Sequence, residues 1–234
     1  VSLAIAYNIW QYYQITGDQD FIEDYGAEMF LEICKFWVSK CNQDESTGRY
    51  SIDKVMGPDE FHEKYPDANE GGLKDNAYTN IMVAWMLDKA KALLQTMEGG
   101  TYGLVLKNCD ITEEDIEKWQ EVASKLNIVI SDEGIIAQYD GYFNLEELDW
   151  DAYREKYGNI YRMDRILKAE GKSPDDYKVS KQADTLMTFY NLDKDKVDLM
   201  LDRMGYKLPK DYVDRNLKYY LQRTSHGSTL SRVV

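Results

Sequence analysis

The stretch DQDFIEDYGAEMFLEICKFWVSKC, residues 18–41, decides the fold class. Within it Ala27, Phe30, Leu31, Cys34, Trp37, Val38 and Cys41 recur at steps of three and four, the spacing that gathers apolar side chains on one face of an α-helix. Asp18 stands where an N-cap belongs. Gly17, just before it, ends an earlier pattern of the same period: Leu3, Ala6, Tyr7, Trp10 and Tyr13 or Gln14. Two amphipathic helices joined by a tight Gly-Asp corner make a helical hairpin. Working outward, the same kind of pattern predicts a helix from Thr79 or Asn80 to about Glu98. Another opens at the near-capping-box Thr112-Glu113-Glu114-Asp115 and runs to about Asn127. Further helices are expected over about 160–170, 181–191, 194–204 and 210–222, punctuated by Gly205 and Pro209. Between them lie short extended pieces: a hairpin with its turn at Ser46-Thr47-Gly48, extended residues from Arg49 to Val55, and an irregular stretch over 128–144. Residues 57–74 form a long polar loop with two of the chain's four prolines, and loops of that length inside compact domains usually carry function. The expected class is all-α, with short strands confined to loops.

Composition narrows the function. Among 234 residues, 28 Lys+Arg face 42 Asp+Glu, a net charge of −14. So acidic a chain lacks the basic footprint that nucleic acid or an anionic membrane demands, and no apolar run reaches the ~20 residues of a membrane span. A small anion remains admissible wherever local donors override the global field. The start carries neither a basic segment nor a cleavage signal, and an initiator Met is missing; the chain opens and stops inside amphipathic patterns, as a piece of a longer protein would. Three cysteines are an odd number. Cys34 and Cys41, seven apart on one helix, would sit about 10 Å apart, beyond disulfide reach. Reduced thiols and a cytoplasmic location are expected. With only His62 and His226, a three-histidine metal site is impossible, and no metal is expected.

Four stretches could carry chemistry. In Gly57-Pro58-Asp59-Glu60-Phe61-His62-Glu63, three carboxylates fall within five residues. If one is partly buried its pKa rises and it can serve as a general acid; otherwise the stretch is a solvated acidic turn. Asp75-Asn76-Ala77-Tyr78-Thr79-Asn80 is dense in hydrogen-bonding groups before a helix, suited to capping or to the hydroxyls and ring faces of a sugar. Lys181-Gln182-Ala183-Asp184 sets a cation and an amide at the opening of an apolar helix. Arg223-Thr224-Ser225-His226-Gly227-Ser228-Thr229-Leu230-Ser231 gathers hydroxyls, an imidazole and a guanidinium with no carboxylate. That is the composition of an anion-binding turn, or of a serine-rich cap. Dinucleotide and Walker glycine fingerprints are absent, as is the Gly-x-Ser-x-Gly elbow.

Together with Thr16-Gly17-Asp18 and Phe36-Trp37, these stretches occur in an order that resembles glycoside hydrolase family 65, the maltose, trehalose and kojibiose phosphorylase group, over nearly the whole chain. The resemblance implies an (α/α)6 barrel, of which residues 1–234 are a later portion of one catalytic domain. An amino-terminal β-sandwich, the early barrel helices with a sugar-holding Trp-Asp pair, and a carboxy-terminal domain would lie outside it; Asp149-Trp150-Asp151 is misplaced for that pair. The resemblance further makes Glu60 the general acid, sets Lys181, Gln182, Asn76 and Tyr78 on the sugar, and gives phosphate to His226, Ser228 and Thr229. Many members read His-Asp-Ser-Ser where this chain reads His226-Gly227-Ser228-Thr229, so a negative charge beside the anion is missing here. The implied reaction is inverting phosphorolysis of an α-glucoside disaccharide to β-glucose 1-phosphate, with inorganic phosphate as co-substrate and no cofactor. The alternatives are an inverting hydrolase of trehalose-like sugars and a non-catalytic helical scaffold. Homodimerisation of the full-length protein is left open, and the isolated segment, lacking half its pocket, is expected to be inactive.

Overall fold

The computed structural model describes residues 1–97 and 100–227. Helix α1 (Ser2–Thr16) stops at Gly17, whose left-handed φ of 65° lets its N–H close on the Tyr13 carbonyl. Asp18 then caps the next turn, its carboxylate accepting from Phe21 N–H. The short α2 (Gln19–Phe21), a π-turn (Ile22–Gly26) and α3 (Ala27–Val38) follow as one rod. The predicted stripe is confirmed at Ala27, Phe30, Leu31, Cys34 and Trp37, all buried. It ends sooner than expected: Cys41 lies not on the helix but at the start of β1 (Cys41–Gln43), which pairs with β2 (Tyr50–Ile52). No disulfide joins Cys34, Cys41 and Cys109.

The next helix, α4 (Ala77–Leu94), begins two residues before the expected cap. The capping group is Asn76, whose Oδ1 accepts from both Thr79 N–H and Thr79 Oγ1 at 2.9 Å; Thr79 and Asn80 are therefore inside the helix. Residues Ile81 to Leu87 are buried without a break, the mark of a helix enclosed on every side. A helix α5 (Thr101–Asn108) was not foreseen, whereas α6 (Glu113–Lys125) starts on the predicted Thr112–Asp115 capping box. Then come α7 (Trp150–Tyr157), also unforeseen and capped by Asp149, and α8 (Met163–Ala169). The last three, α9 (Asp184–Asn191), α10 (Lys194–Arg203) and α11 (Tyr212–Leu221), fall where expected except that α9 starts at Asp184 rather than Lys181. Among the described residues no helix is long and apolar enough to cross a membrane.

The chain divides into two units. The first comprises Val1–Ser51, Ile81–Leu126 and Arg203–Gly205. In it α1 packs on α3, with the Tyr7 and Trp85 rings 5.5 Å apart and Trp37 Nε1 donating to Ser2 Oγ at 3.1 Å. The second comprises Ile52–Asn80, Asn127–Asp202 and the chain from Tyr206. Its core has two parts, one around Tyr139, Tyr142 and Tyr220, the other around Phe61, Met163, Leu167 and Val179. Asn216 ties α11 to the irregular stretch, accepting from Ile136 N–H and donating to the Gly134 carbonyl, both at 2.8 Å. Every described residue singled out for chemistry lies in this second unit.

Candidate active site

Gly57 fixes the start of the acidic loop. A Cβ at this position would stand 1.8 Å from Asp184 Oδ2 and 2.4 Å from Asn76 Nδ2, so only hydrogen fits and the loop backbone lies directly on the Asp184 carboxyl. Asp59 N–H donates to Asp184 Oδ1 at 2.5 Å, while Asn76 Nδ2 donates to Oδ2 at 2.9 Å. The Asp59 carboxyl turns the other way and accepts from Lys181 N–H at 3.0 Å. The two aspartates thus brace the segments 57–60 and 181–184 against each other reciprocally. Their neighbours in sequence, Glu60 and Lys181, are brought side to side, Oε2 to Nζ 2.6 Å. Gln182 Nε2 reaches the Pro58 carbonyl at 3.3 Å.

The brace is buried, and burial has an electrostatic consequence. Asp184 is 3% exposed and its pKa is pushed up to about 7, desolvation outweighing its hydrogen bonds to Asn76 and Asp59. Burial raises Asp59 well above the ordinary carboxylate range, and the charge of Asp184 adds to the rise. His62 stands beside Asp59. Its Nε2 lies 2.9 Å from the Tyr177 carbonyl, an obligate acceptor, so Nε2 carries hydrogen. Burial lowers the ring's pKa, which favours the neutral form and leaves Nδ1 a bare acceptor. Nδ1 stands 3.7 Å from Asp59 Oδ2, beyond hydrogen-bond distance, and neither atom has a hydrogen-bond partner among the described residues.

Sequence reasoning asked for one partly buried carboxyl among three, and the structure buries Asp59, not Glu60. The short Asp59 side chain folds back onto the Lys181 backbone; Glu60, one residue on, projects outward with its side chain 67% exposed and its charge met by Lys181. Asn76 needs correction as a sugar ligand: it is 1% exposed, its Nδ2 is on Asp184 and its Oδ1 caps α4, so it positions the site from beneath. Tyr78, in the first turn of α4, is half-buried and its hydroxyl accepts from Asn191 Nδ2 at 2.9 Å. Lys181 and Gln182 precede α9 instead of opening it, because the Asp59 carboxyl holds this backbone in place.

The hydroxyl-rich segment is stitched to the same place. Ser180 N–H donates to the Arg223 carbonyl and Ser225 N–H to the Ser180 carbonyl, both at 2.9 Å, which pins the residue before His226 to the residue before Lys181. His226 has a left-handed φ of 52°. At Gly227 a Cβ would meet the Tyr161 carbonyl oxygen at 2.1 Å, so the turn presses on the backbone at 161 and admits only glycine. Ser228 and Thr229 lie outside the described residues. Arg223 is withdrawn from the anion-binding turn proposed for it: Glu147 takes its Nε and Nη2 at 3.1 and 2.9 Å, and its guanidinium covers the Tyr219 ring at 3.7 Å. The sequence segment has no carboxylate; folding supplies one from 76 residues away. Sequence reasoning missed the Asp59–Asp184 brace, since nothing local marks a pairing across 125 residues, and it missed Tyr161 and Arg162 altogether. Among the described residues no three His, Cys, Asp or Glu side chains are grouped to hold a metal.

The loops between the helices thus bring a carboxyl, an ammonium group and an amide together in one place. A model of the glycosyl hydrolase family 65 central catalytic domain matches residues 1–234, and the chain belongs to that family. Trehalose 6-phosphate phosphorylase of Lactococcus lactis is 48% identical over the whole chain, which covers 29% of that protein. Kojibiose phosphorylase of Halothermothrix orenii is 30% identical over 99% of the chain and 27% of its own length. A solved structure titled as a kojibiose phosphorylase from the human microbiome superposes with a TM-score of 0.73 at 27% identity, over 98% of this chain and 30% of that one. The fold is accordingly all-α, a segment of an (α/α)-barrel catalytic domain. The chain spans less than a third of the length of these relatives.

Proposed function

We propose that the protein to which this chain belongs cleaves an α-glucoside disaccharide by inverting phosphorolysis, giving β-glucose 1-phosphate and a free sugar. The observation that carries the reading is the Glu60–Lys181 pair, 2.6 Å apart, with Ser180 tying the His226 turn to the same segment. Glu60 gives its proton to the glycosidic oxygen as the bond from the anomeric carbon breaks. Lys181 and Gln182 hold hydroxyls of the glucosyl unit. Phosphate, held by His226, Ser228 and Thr229, forms the new bond to the anomeric carbon from the opposite face. Water as nucleophile would need a second carboxylate to activate it, whereas phosphate arrives as an anion and needs donors instead. The proton that phosphate loses on becoming an ester balances the one Glu60 supplies, so the reaction calls for no cofactor. Acid assistance contributes about 10²–10⁴ in rate, and positioning with charge stabilisation the remainder.

The relatives named for trehalose 6-phosphate and kojibiose both support an α-linked glucosyl donor, and the higher identity to the former admits a phosphorylated disaccharide. Residues 1–234 are read as part of one catalytic domain in a cytoplasmic enzyme, a reading that the absence of a disulfide among Cys34, Cys41 and Cys109 supports. In the full-length protein Glu60→Gln should abolish phosphate-dependent release of β-glucose 1-phosphate, and activity at the wild-type level in that variant would remove the assignment. Glucose release that proceeds equally without phosphate would instead mark a hydrolase.

A further inference from the structure

We propose that Arg162 is a phosphate-recognising residue of this site, its side-chain stem packed against the His226-Gly227 turn and its Nη1 edge, which has no partner among the described residues, offered to a phosphate dianion. The inference rests on the phosphorolytic reading above and extends it to a residue from outside the motifs.

A protein of net charge −14 must assemble local cations wherever it admits phosphate. The cationic side chains near the turn are mostly committed. Arg223 is held by Glu147 and by the Tyr219 ring, Lys178 reaches Glu147 at 3.3 Å, and Lys181 is engaged by Glu60. Arg162 differs in place and in accessibility. Its Cδ lies 3.2 Å from the point a Gly227 Cβ would occupy, and the carbonyl before it is what excludes that Cβ, so the 161–162 backbone and the turn are in direct contact. Its side chain is 46% exposed.

Asp164 grips one edge of the guanidinium, accepting from Nε at 2.9 Å and Nη2 at 2.6 Å. A guanidinium carries five N–H donors in a rigid plane, so a bidentate contact on one edge orients the group and keeps the Nη1 edge available to a second acceptor. The Asp164 charge raises the Arg162 pKa, and the more distant Glu60 carboxylate adds to the rise. Arg162 thus lies within the field of the acid as well as against the anion turn. Two sources share the chemistry that would fill that edge: inorganic phosphate as the nucleophile, or a phosphate ester on the sugar bound beside Glu60.

Isothermal titration of the full-length protein with inorganic phosphate, and separately with glucose 6-phosphate, tests the proposal without requiring turnover. Arg162→Ala should weaken one of the two by at least about tenfold, with Arg162→Lys recovering part because it keeps the charge but not the fork. Glu60→Gln should bind that ligand at least as tightly as the wild type. The ligand whose affinity falls names the source. Binding of both within twofold of wild type in Arg162→Ala, or no binding of either by the wild type, overturns the proposal. Affinity lost in Arg162→Ala while the wild type shows no phosphorolysis would instead sustain the site and refute the reaction.

Discussion

Gly57→Ala is the smallest change that reaches the brace between the two halves of the site. The added methyl would meet Asp184 Oδ2 at 1.8 Å, and real Cβ atoms do not come closer than 3.0 Å, so the carboxyl must retreat by 3.0 − 1.8 = 1.2 Å. That retreat stretches two hydrogen bonds at once, from Asn76 at 2.9 Å and from the Asp59 backbone at 2.5 Å. Overpacking costs about 1–3 kcal/mol and each bond to a buried carboxyl about 1.5–3 kcal/mol; because the terms overlap, about 3–5 kcal/mol of local stability is at stake. The functional effect follows from distance. A displacement of about 1 Å at a reacting group costs on the order of 10²-fold in rate, and Glu60 is three residues from the substituted position. Steady-state phosphorolysis and thermal melting of the full-length variant measure both effects. Gly103→Ala is the internal control: nothing lies within 4 Å of its Cβ position inside α5, and alanine there should be neutral or stabilise by about 0.5–1 kcal/mol. A Gly57→Ala enzyme with unchanged kcat and melting would show that the loop does not lie on Asp184, and the account of the brace would fall.

Asp59→Asn keeps the acceptor for Lys181 N–H and removes the ionisable group. A carboxyl whose pKa rises on folding adds stability in full below its unfolded value of about 3.9 and loses it as pH climbs towards the native value. The advantage of the asparagine variant over wild type should therefore grow by about 1.4 kcal/mol per pH unit above pH ~4. Melting curves of the two proteins at pH 5 and pH 7 measure this, and an offset independent of pH would rule out the buried proton. Gly227→Ala drives a methyl onto the Tyr161 carbonyl, which cannot rotate away, and should raise the KM for phosphate at least about tenfold. A KM equal to wild type would mean that the turn does not rest on residue 161.

What could be read from sequence was what short-range chemistry determines. Gly17 ends α1, Asp18 caps the turn after it, and Thr112 with Asp115 opens α6, because each of these signals acts within a few residues. The start of α4 was misplaced because Asn76, not Thr79, turned out to be the cap, a choice enforced by the bond Asn76 makes to Asp184, 108 residues later. Helices α5 and α7 escaped notice for a different reason. They are eight residues each, with two and one buried side chains respectively, too little apolar periodicity to register. At the site, Glu60, Lys181 and Gln182 are brought together, but the groups that hold them there were not legible in the sequence. Burial of Asp59 beside an exposed Glu60 depends on a hydrogen bond to Lys181, across 122 residues. The withdrawal of Arg223 depends likewise on Glu147.

The reciprocal hold of Asp59 and Asp184 has a consequence for anyone recombining members of this family. The Glu60 loop cannot be transplanted as a single cassette, because that strip of chain is keyed to another strip more than a hundred positions downstream. A chimera that takes residues 57–60 from one parent must inherit 181–184 from the same parent, together with Asn76, or it will carry Glu60 on a hinge with no latch.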